Sequence, residues 1–227
     1  EIKITAVNQC LSSYGIAGPI TICTAPITDF SISPDTVECV GSIISFTDSS
    51  IHGVHILGST CVYDSKERWQ ISPSTGWQLG VGSSLGSPNP SGNQATWGTS
   101  TIDVLFTSPG EYFISLIMDN HCGYDTMTKK VCIVPEPSAS FSVDPTFGCM
   151  PLAINATNTS NSLTDCDPTT TYIWDVQQIV PSCGYLSSWN FTNGTNLNSV
   201  NPSFSINNPG QYVVSLQISN KCNTITF

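Results

Sequence analysis

The chain has 227 residues, of which only 10% are charged, and its formal net charge at pH 7 is -10. Six lysine and arginine residues cannot neutralise a phosphate backbone, so nucleic acid is excluded as a partner and an anionic membrane surface is disfavoured. No apolar run approaches the roughly 18 residues of a membrane-spanning helix, and we expect no direct membrane insertion.

The first 26 residues resemble segments that occur later in the chain. IKITAVNQC, at residues 2–10, resembles LIMDNHC at residues 116–122, and TICTAPITDFSIS, at residues 21–33, resembles VCIVPEPSASFSV at residues 131–143. Internal repeats of this kind indicate a tandem array. We therefore predict that residues 1–26 are the C-terminal strands of a preceding module whose body is absent from the chain.

Residues 27–135 contain a succession of short strand patterns, and we predict that they form one module, called module 1. An alternating strand is followed by Pro34, by Cys39 and by a second strand, and a polar loop then carries Cys61. A strand with Trp69 and a long Gly/Ser/Asn-rich stretch lead to SPGEYFISLIMDNHC at residues 108–122.

Residues 136–227 repeat the same order, and we predict a second module, module 2, whose last strand is truncated. Cys149 matches Cys39, Cys166 lies in the polar loop, and Trp174 lies on the next strand. NPGQYVVSLQISNKC, at residues 208–222, then matches residues 108–122 in its Pro-Gly, its tyrosine, its alternating apolar residues and its final Asn-x-Cys. The linkers between modules are short and proline-containing, which favours stiff joints.

The fold class predicted from these patterns is all-β, with tandem β-sandwiches. Apolar residues alternate along residues 112–118 and 212–218, which is typical of half-buried strands, and no amphipathic helical stretch occurs. Trp69 and Trp174 are interpreted as core residues of the third strand. Each Pro-Gly suits a type II turn, and Tyr112 and Tyr212 follow where a sandwich places its tyrosine corner.

The chain resembles the PKD (polycystic kidney disease) domain family over nearly all of residues 27–227. The second half of the family pattern is well kept in NPSFSINNPGQYVVSLQISNKC, whereas the first half is reduced to the Trp-Asp of IWDVQQ and the Trp of RWQISP. The resemblance is closest to the divergent repeats of large secreted Bacteroidota proteins, such as gliding-motility adhesins. It implies Ig-like seven-stranded sandwiches in a cell-surface or secreted array.

Ten cysteines occur without a Cys-x-x-Cys pair or a Cys/His cluster of zinc spacing, which favours disulfides formed in an oxidising, extracytoplasmic compartment. In the Ig-like sandwich that the resemblance implies, the loop after the second strand and the end of the sixth strand share one end of the module. The bridges expected on that basis are Cys61–Cys122, Cys166–Cys222, Cys149–Cys183, Cys39–Cys132 and Cys10–Cys23. For Cys10 the alternative partner is a loop of the preceding module.

The sequence contains no convincing catalytic set, and we predict that the chain is not an enzyme. His52 and His55 lie in a loop with no third metal ligand in view. Asp165 and Asp167 offer two carboxylates to calcium, but no Asp-rich loop of ligand spacing accompanies them. No cofactor is therefore expected, with calcium as the alternative.

Two functions are consistent with these features. The first is a non-catalytic stalk or adhesion segment of a large surface protein, outer membrane-associated through its parent chain, with neighbouring modules and a surface polysaccharide or protein as partners. The alternative is a carbohydrate- or protein-binding accessory module of a secreted hydrolase. Its candidate ligand-binding residues are Trp77, Trp97 and Trp189, which lie outside the predicted core strands. Thr36 and Thr126 match the Asp-Ser/Thr-apolar pattern of Bacteroidota O-glycosylation.

Overall fold

A computed structural model describes residues 3–7, 12–16, 24–57, 60–62, 66–87, 97–120, 122–161, 166–181 and 184–227. For residues 3–7, 12–16, 55–57, 60–62 and 180–181 the description covers the backbone only. Every regular element in the described part of the chain is a β-strand. None of the described residues belongs to a helix of the length and apolar character that crossing a membrane requires.

Before module 1, the strands β1 (Lys3–Val7) and β2 (Ser12–Ile16) form an antiparallel hairpin. The strands of module 1 are β3 (Phe30–Ser33), β4 (Val37–Cys39), β5 (Ile43–Asp48), β6 (His55–Leu57), β7 (Thr60–Val62), β8 (Lys66–Ser72), β9 (Trp77–Leu79), β10 (Thr101–Phe106), β11 (Gly110–Asn120) and β12 (Gly123–Val134). The strands of module 2 are β13 (Phe141–Asp144), β14 (Leu152–Asn158), β15 (Thr171–Pro181), β16 (Trp189–Thr192), β17 (Ser203–Ile206), β18 (Gly210–Ser219) and β19 (Thr224–Thr226).

Module 1 is a sandwich of two four-stranded sheets. One sheet has the order β3-β5-β10-β9 and the other has the order β4-β12-β11-β8. The two sheets enclose the alternating apolar faces that the sequence predicts, because every second side chain of a strand points to the same side. The largest fully buried side chains are Phe30, Ile44, Phe46, Ile102, Phe106, Tyr112, Ile114, Leu116, Met118 and Ile133. A short hairpin, β6-β7, lies within the segment that was expected to be a polar loop.

Module 2 repeats this arrangement with one difference. Its first sheet has the order β13-β14-β17-β16, and its second sheet has three strands among the described residues, β15-β18-β19. The buried core contains Ile154, Ala156, Tyr172, Trp174, Val176, Phe204, Ile206, Leu216 and Ile218. The strand order of both modules is that of an Ig-like sandwich, which confirms the predicted fold class of tandem Ig-like domains.

The third-strand tryptophans are core residues, as predicted. Trp69 and Trp174 are each 2% exposed. The indole N–H of Trp69 donates to the carbonyl oxygen of Thr99 at 2.9 Å, and that of Trp174 donates to the carbonyl oxygen of Ser199 at 2.8 Å. Both buried indole N–H groups therefore have an acceptor in a loop that connects two strands of the opposite sheet.

The tyrosine corners are also confirmed. The hydroxyl of Tyr112 donates to the carbonyl oxygen of Ser108 at 2.9 Å, and the hydroxyl of Tyr212 donates to that of Asn208 at 3.0 Å. The predicted type II turn is wrong in detail, because Gly110 begins β11 with a φ of 142°, whereas the third residue of a type II turn needs a φ near +80°. The positive φ still explains why glycine stands at this position.

Candidate functional site at the module junction

Two disulfides join module 1 to module 2. Cys39, at the end of β4, is bonded to Cys222, which follows β18, and their Cα atoms are 5.6 Å apart. Cys132, on β12, is bonded to Cys166, in the loop between β14 and β15, and their Cα atoms are 5.7 Å apart. Both Cα separations are usual for disulfides. The four cysteines therefore form a covalent junction between the two sandwiches.

These bonds correct the expected pairs Cys39–Cys132 and Cys166–Cys222. The same four cysteines are involved, but their partners are exchanged across the junction. Within module 1, β4 pairs in parallel with β12 in a register that places Val134, not Cys132, opposite Cys39. The sequence prediction assumes that each module forms its disulfides internally, whereas these four cysteines bond to the other module.

Cys149 is free and exposed, so the expected bridge between Cys149 and Cys183 is wrong. Cys149 occupies the position in module 2 that Cys39 occupies in module 1, where the cysteine bonds the following module rather than its own. Cys122 is disulfide-bonded. The side chains of the other expected partners lie outside the described residues: Cys10, Cys23, Cys61 and Cys183.

Asn220 holds the linker between the modules. Its side-chain oxygen accepts a hydrogen bond from the backbone N–H of Cys222 at 2.9 Å, which closes the turn that presents this cysteine. Its side-chain nitrogen donates to the carbonyl oxygen of Pro135 at 2.8 Å, 85 residues earlier in the chain. Asn220 is 9% exposed, so these hydrogen bonds replace water that the side chain has lost.

Asn120 makes the same two kinds of contact at the start of module 1. Its side-chain oxygen accepts from the backbone N–H of Cys122 at 2.9 Å, and its side-chain nitrogen donates to the carbonyl oxygen of Thr24 at 2.9 Å. The repeated Asn-x-Cys sequence is thus a junction motif in which the asparagine holds the preceding linker. The sequence repeats Asn-x-Cys at residues 120–122 and 220–222, but this pattern alone indicates no role for the asparagine.

An ion-pair cluster lies beside the Cys39–Cys222 bond. The Lys221 ammonium nitrogen is 2.8 Å from Glu38 Oε1 and 3.2 Å from Asp35 Oδ2. Burial alone would lower the pKa of Lys221, but hydrogen bonds to Glu38 and then Asp35 outweigh it and raise that pKa. The backbone N–H of Thr36 and then the Lys221 ammonium lower the pKa of Asp35. The Lys221 ammonium therefore links Asp35 and Glu38 of module 1 to the turn that carries Cys222.

The loop that carries Cys166 is fixed by a local network. Asp167 accepts hydrogen bonds from the backbone N–H and the hydroxyl of Thr169, at 2.7 and 2.6 Å, and from the hydroxyl of Thr170 at 2.6 Å. Burial opposes ionisation of Asp167, but these hydrogen bonds prevail and lower its pKa. Both carboxylate oxygens already have donors, and Asp165, the second carboxylate of the calcium alternative, lies outside the described residues.

The three candidate ligand-binding tryptophans are each at least half-buried. Trp77 is on β9 and Trp189 is on β16, and both are half-buried and pack against the cores of their modules. The expectation that they lie outside the core strands is therefore wrong. Trp97 is half-buried, with the Lys66 ammonium 4.6 Å from its ring centroid. Ligand binding by these residues stays a prediction.

Thr36 and Thr126 are both exposed, as O-glycosylation would require. Thr36 lies directly before β4 and Thr126 lies on β12. Modification of these hydroxyls stays a prediction.

No metal-binding cluster is present among the residues whose side chains are described. Nowhere among them do three His, Cys, Asp or Glu side chains lie together in a way that could hold a metal ion. The imidazole of His52 lies 3.7 Å from the carboxylate of Asp48. The side chains of His55 and His121 are outside the described residues.

No family model matches the chain, and no curated protein sequence matches it. Among solved structures, it is similar to the I-band fragment I67-I69 from titin, with 12% identity, 88% of this chain and 62% of that chain covered, and a TM-score of 0.44. It is also similar to FdeC, an Escherichia coli adhesin, with 10% identity, coverage of 95% and 67%, and a TM-score of 0.46. A third similar structure is the mouse nectin-like molecule 4 ectodomain (Ig1-Ig3), with 9% identity, 88% of this chain and 61% of that chain covered, and a TM-score of 0.42.

The chain spans about three fifths of the titin and nectin-like chains that it matches. The assignment of the fold depends on the strand pairing described above and not on these similarities.

Proposed function

We propose that the chain is a non-catalytic, load-bearing segment of a large bacterial surface protein, a stalk or adhesin built of disulfide-linked PKD-type modules. The observation that carries this proposal is the Cys39–Cys222 disulfide, which joins the beginning of module 1 to the end of module 2. In the proposed setting the partners are neighbouring modules, and an adhesive ligand is a surface polysaccharide or protein.

The position of this disulfide determines how the chain responds to tension. A pulling force applied to the two ends of the chain passes through the segment before Cys39, the disulfide and the segment after Cys222. The 183-residue loop between these cysteines lies outside that path, so both sandwiches are protected from extension. Only β3 and β4 in module 1 and β19 in module 2 lie on the loaded segments.

Three further contacts support a stiff joint. The Cys132–Cys166 bond adds a second covalent tie, Asn220 holds the carbonyl of Pro135, and Lys221 pairs with Glu38. Two sandwiches tied at several points of one junction cannot swing freely about the linker. A rod of such modules keeps its length under load, which is what a stalk requires.

The disulfides also place the chain in an oxidising compartment. Disulfides persist in secreted and surface proteins, whereas cytosolic thiols are kept reduced. An extracytoplasmic location follows from the bonded cysteines at the junction. Association with a bacterial outer membrane through the parent chain is part of the proposal.

Single-molecule force spectroscopy tests the proposal. The full chain is tethered at both ends and stretched first under oxidising conditions and then with a reductant. We expect the oxidised chain to show no extension step as long as a sandwich. After reduction, the 183-residue loop should release on the order of 600 Å, at 3.3–3.6 Å per residue.

A Cys149→Ser variant is the matched control, because it removes a thiol that forms no disulfide. Its extension should be unchanged under oxidising conditions and after reduction. Sandwich-length steps in the oxidised wild-type chain would contradict the load-bearing role.

A further inference from the structure

Module 1 carries an open pocket at the side of the sandwich where β8 and β9 are the edge strands of their sheets. The pocket has a volume of about 420 Å³, which is in the range of sites that bind small molecules. Residues of β8, β9 and β11 line it, together with the turn after β8 and the segment that follows β9. The whole pocket is therefore built by module 1.

Two aromatic rings line this pocket. Phe113, on β11, is 44% exposed. Trp77, at the beginning of β9, is half-buried, and its indole N–H donates to the carbonyl oxygen of Pro73 at 2.8 Å, which fixes the orientation of the ring. Leu85 adds an aliphatic side chain to the lining. These side chains offer apolar surface on which the C–H face of a ring-shaped ligand can pack.

Uncharged polar side chains complete the lining. Gln70, Ser72 and Ser74 are all exposed, and none of their side chains hydrogen-bonds to another described residue. The hydroxyl of Ser115 is already paired with that of Thr128, with 2.7 Å between the oxygen atoms. Amide and hydroxyl groups each donate and accept hydrogen bonds, so the three free side chains can pair with the hydroxyl groups of a ligand.

The register of the sheet brings the aromatic and polar groups together. β8 and β11 are antiparallel, with Ser72 directly opposite Phe113 and Gln70 directly opposite Ser115. Side chains that lie opposite each other on one face of a sheet are about 5 Å apart at their Cβ atoms. One small ligand can therefore contact an aromatic ring and hydrogen-bond to the polar side chains at the same time.

The lining also indicates the charge of the ligand. Among the described residues that line the pocket, none has a charged side chain. A phosphate, sulfate or carboxylate group would lose water there without gaining an opposite charge, which is unfavourable. A purely apolar ligand would leave the amide of Gln70 and the serine hydroxyls without partners. A neutral sugar satisfies both conditions, because its ring has an apolar C–H face and a rim of hydroxyl groups.

We propose that this pocket binds neutral sugar units of a polysaccharide. Phe113 and Trp77 contact the C–H face of a sugar ring, and Gln70, Ser72 and Ser74 hydrogen-bond to its hydroxyl groups. The inference rests on the adhesive part of the proposed function, since it assigns that part a ligand class and a site. The load-bearing part does not depend on it.

Isothermal titration calorimetry of the full chain tests the proposal. The neutral probes are cellotetraose, maltotetraose, mannotetraose and N-acetylchitotetraose, and the acidic probe is tetragalacturonate. We expect a dissociation constant of about 1 mM or lower for at least one neutral probe, and binding of tetragalacturonate that is at least about tenfold weaker. Absence of binding by every neutral probe, or equal binding of the acidic probe, overturns the proposal.

A Phe113→Thr chain localises the binding. The substitution removes a ring from the pocket, keeps a residue that suits a strand and leaves the buried core intact. Affinity for the neutral probe that binds best should fall about tenfold or more. Tyr124→Thr is the matched control, because Tyr124 is an exposed aromatic residue of β12 in the same sheet and does not line the pocket. Equal loss in the two variants overturns the site.

A Gln70→Ala chain tests the polar contacts. Loss of the amide should weaken binding of the same probe about fivefold, since hydrogen bonds to the sugar are removed. Gln78→Ala is the matched control, because Gln78 is exposed on β9 and does not line the pocket, and its affinity should equal that of the wild-type chain. Equal affinities of the two variants contradict the assigned hydrogen bonds.

Failure of this inference is distinguishable from failure of the load-bearing role. A chain that resists extension but binds no neutral probe retains the load-bearing role and loses the sugar site. A chain that binds sugar but extends in sandwich-length steps under oxidising conditions retains the site and loses the load-bearing role.

Discussion

A single asparagine in each module fixes the course of the linker before that module. Asn220 and Asn120 each turn their oxygen toward a backbone N–H two residues ahead and their nitrogen toward a linker carbonyl about one hundred residues back. Aspartate would lack the donor, and serine would be too short to reach both groups. The amide side chain is the smallest that supplies a donor and an acceptor in opposite directions.

Replacement of Asn220 by Ala should loosen the junction locally. The substitution leaves the N–H of Cys222 and the carbonyl of Pro135 without their partner, which costs about 1–2 kcal/mol. Amide hydrogen exchange should detect this as roughly tenfold faster exchange of the Cys222 N–H. Asn223→Ala is the control, because the Asn223 side chain is exposed and accepts only a local bond from Thr224. Equal acceleration in both variants would show that Asn220 has no special role.

At the scale of elements, the alternating patterns predicted the long strands well. β11 and β18 follow the apolar period of residues 112–118 and 212–218, and Trp69 and Trp174 identified the third strand of each sandwich. These features are local, because the apolar period of a strand and the tryptophan within it can both be recognised from neighbouring residues in the sequence.

The cysteine partners were not predictable in the same way. The order of cysteines along a chain does not determine their pairing, which is set by the relative position of two folded modules. The parallel pairing of β4 with β12 depends on three residues, too few for a periodic signal. The repeated Asn-x-Cys motif can be recognised in the sequence, but its position at the junction and the bonds of the cysteines could be assigned only from the structure.

The ion pair between β4 and the β18–β19 turn should make the joint sensitive to alkaline pH. The raised pKa of Lys221 means that its contribution is complete below its unfolded value of about 10.4 and is lost as the pH rises through the higher folded value. On the acid side, the lowered pKa of Asp35 preserves its contribution until the pH falls through a value below about 3.9.

This pH dependence is best measured without the disulfide beside the ion pair, in a Cys39→Ser/Cys222→Ser chain that keeps the Cys132–Cys166 bond. Small-angle X-ray scattering should give a constant radius of gyration from about pH 5 to 9 and a larger one above about pH 10.5. Lys221→Met in the same background removes the titrating group and should abolish the alkaline expansion. An expansion of the same size in that control would assign the effect to other groups.

At the scale of the whole molecule, the two junction disulfides are unequal although they lie at the same interface. Cys132 and Cys166 are only 34 residues apart, so their bond encloses the linker and the first strands of module 2. Cys39 and Cys222 are 183 residues apart, so their bond encloses almost the whole pair of modules. Sequence separation, and not the position of the bond in space, determines which part of the chain a disulfide removes from tension.

Removal of one bond at a time should therefore give opposite results under force. A Cys132→Ser/Cys166→Ser chain keeps the long loop closed and should resist extension like the wild-type chain. A Cys39→Ser/Cys222→Ser chain opens the 183-residue loop and leaves module 1 on the loaded path. Unfolding of module 1 should then appear as an extension step that the wild-type chain lacks, shortened by the loop that the Cys122 disulfide keeps closed. Force spectroscopy of the two oxidised variants measures the difference directly. Each variant loses one disulfide. Equal force–extension records for the two variants would therefore mean that only the number of disulfides affects extension. Different records are expected, because the two bonds close loops of different length in the sequence.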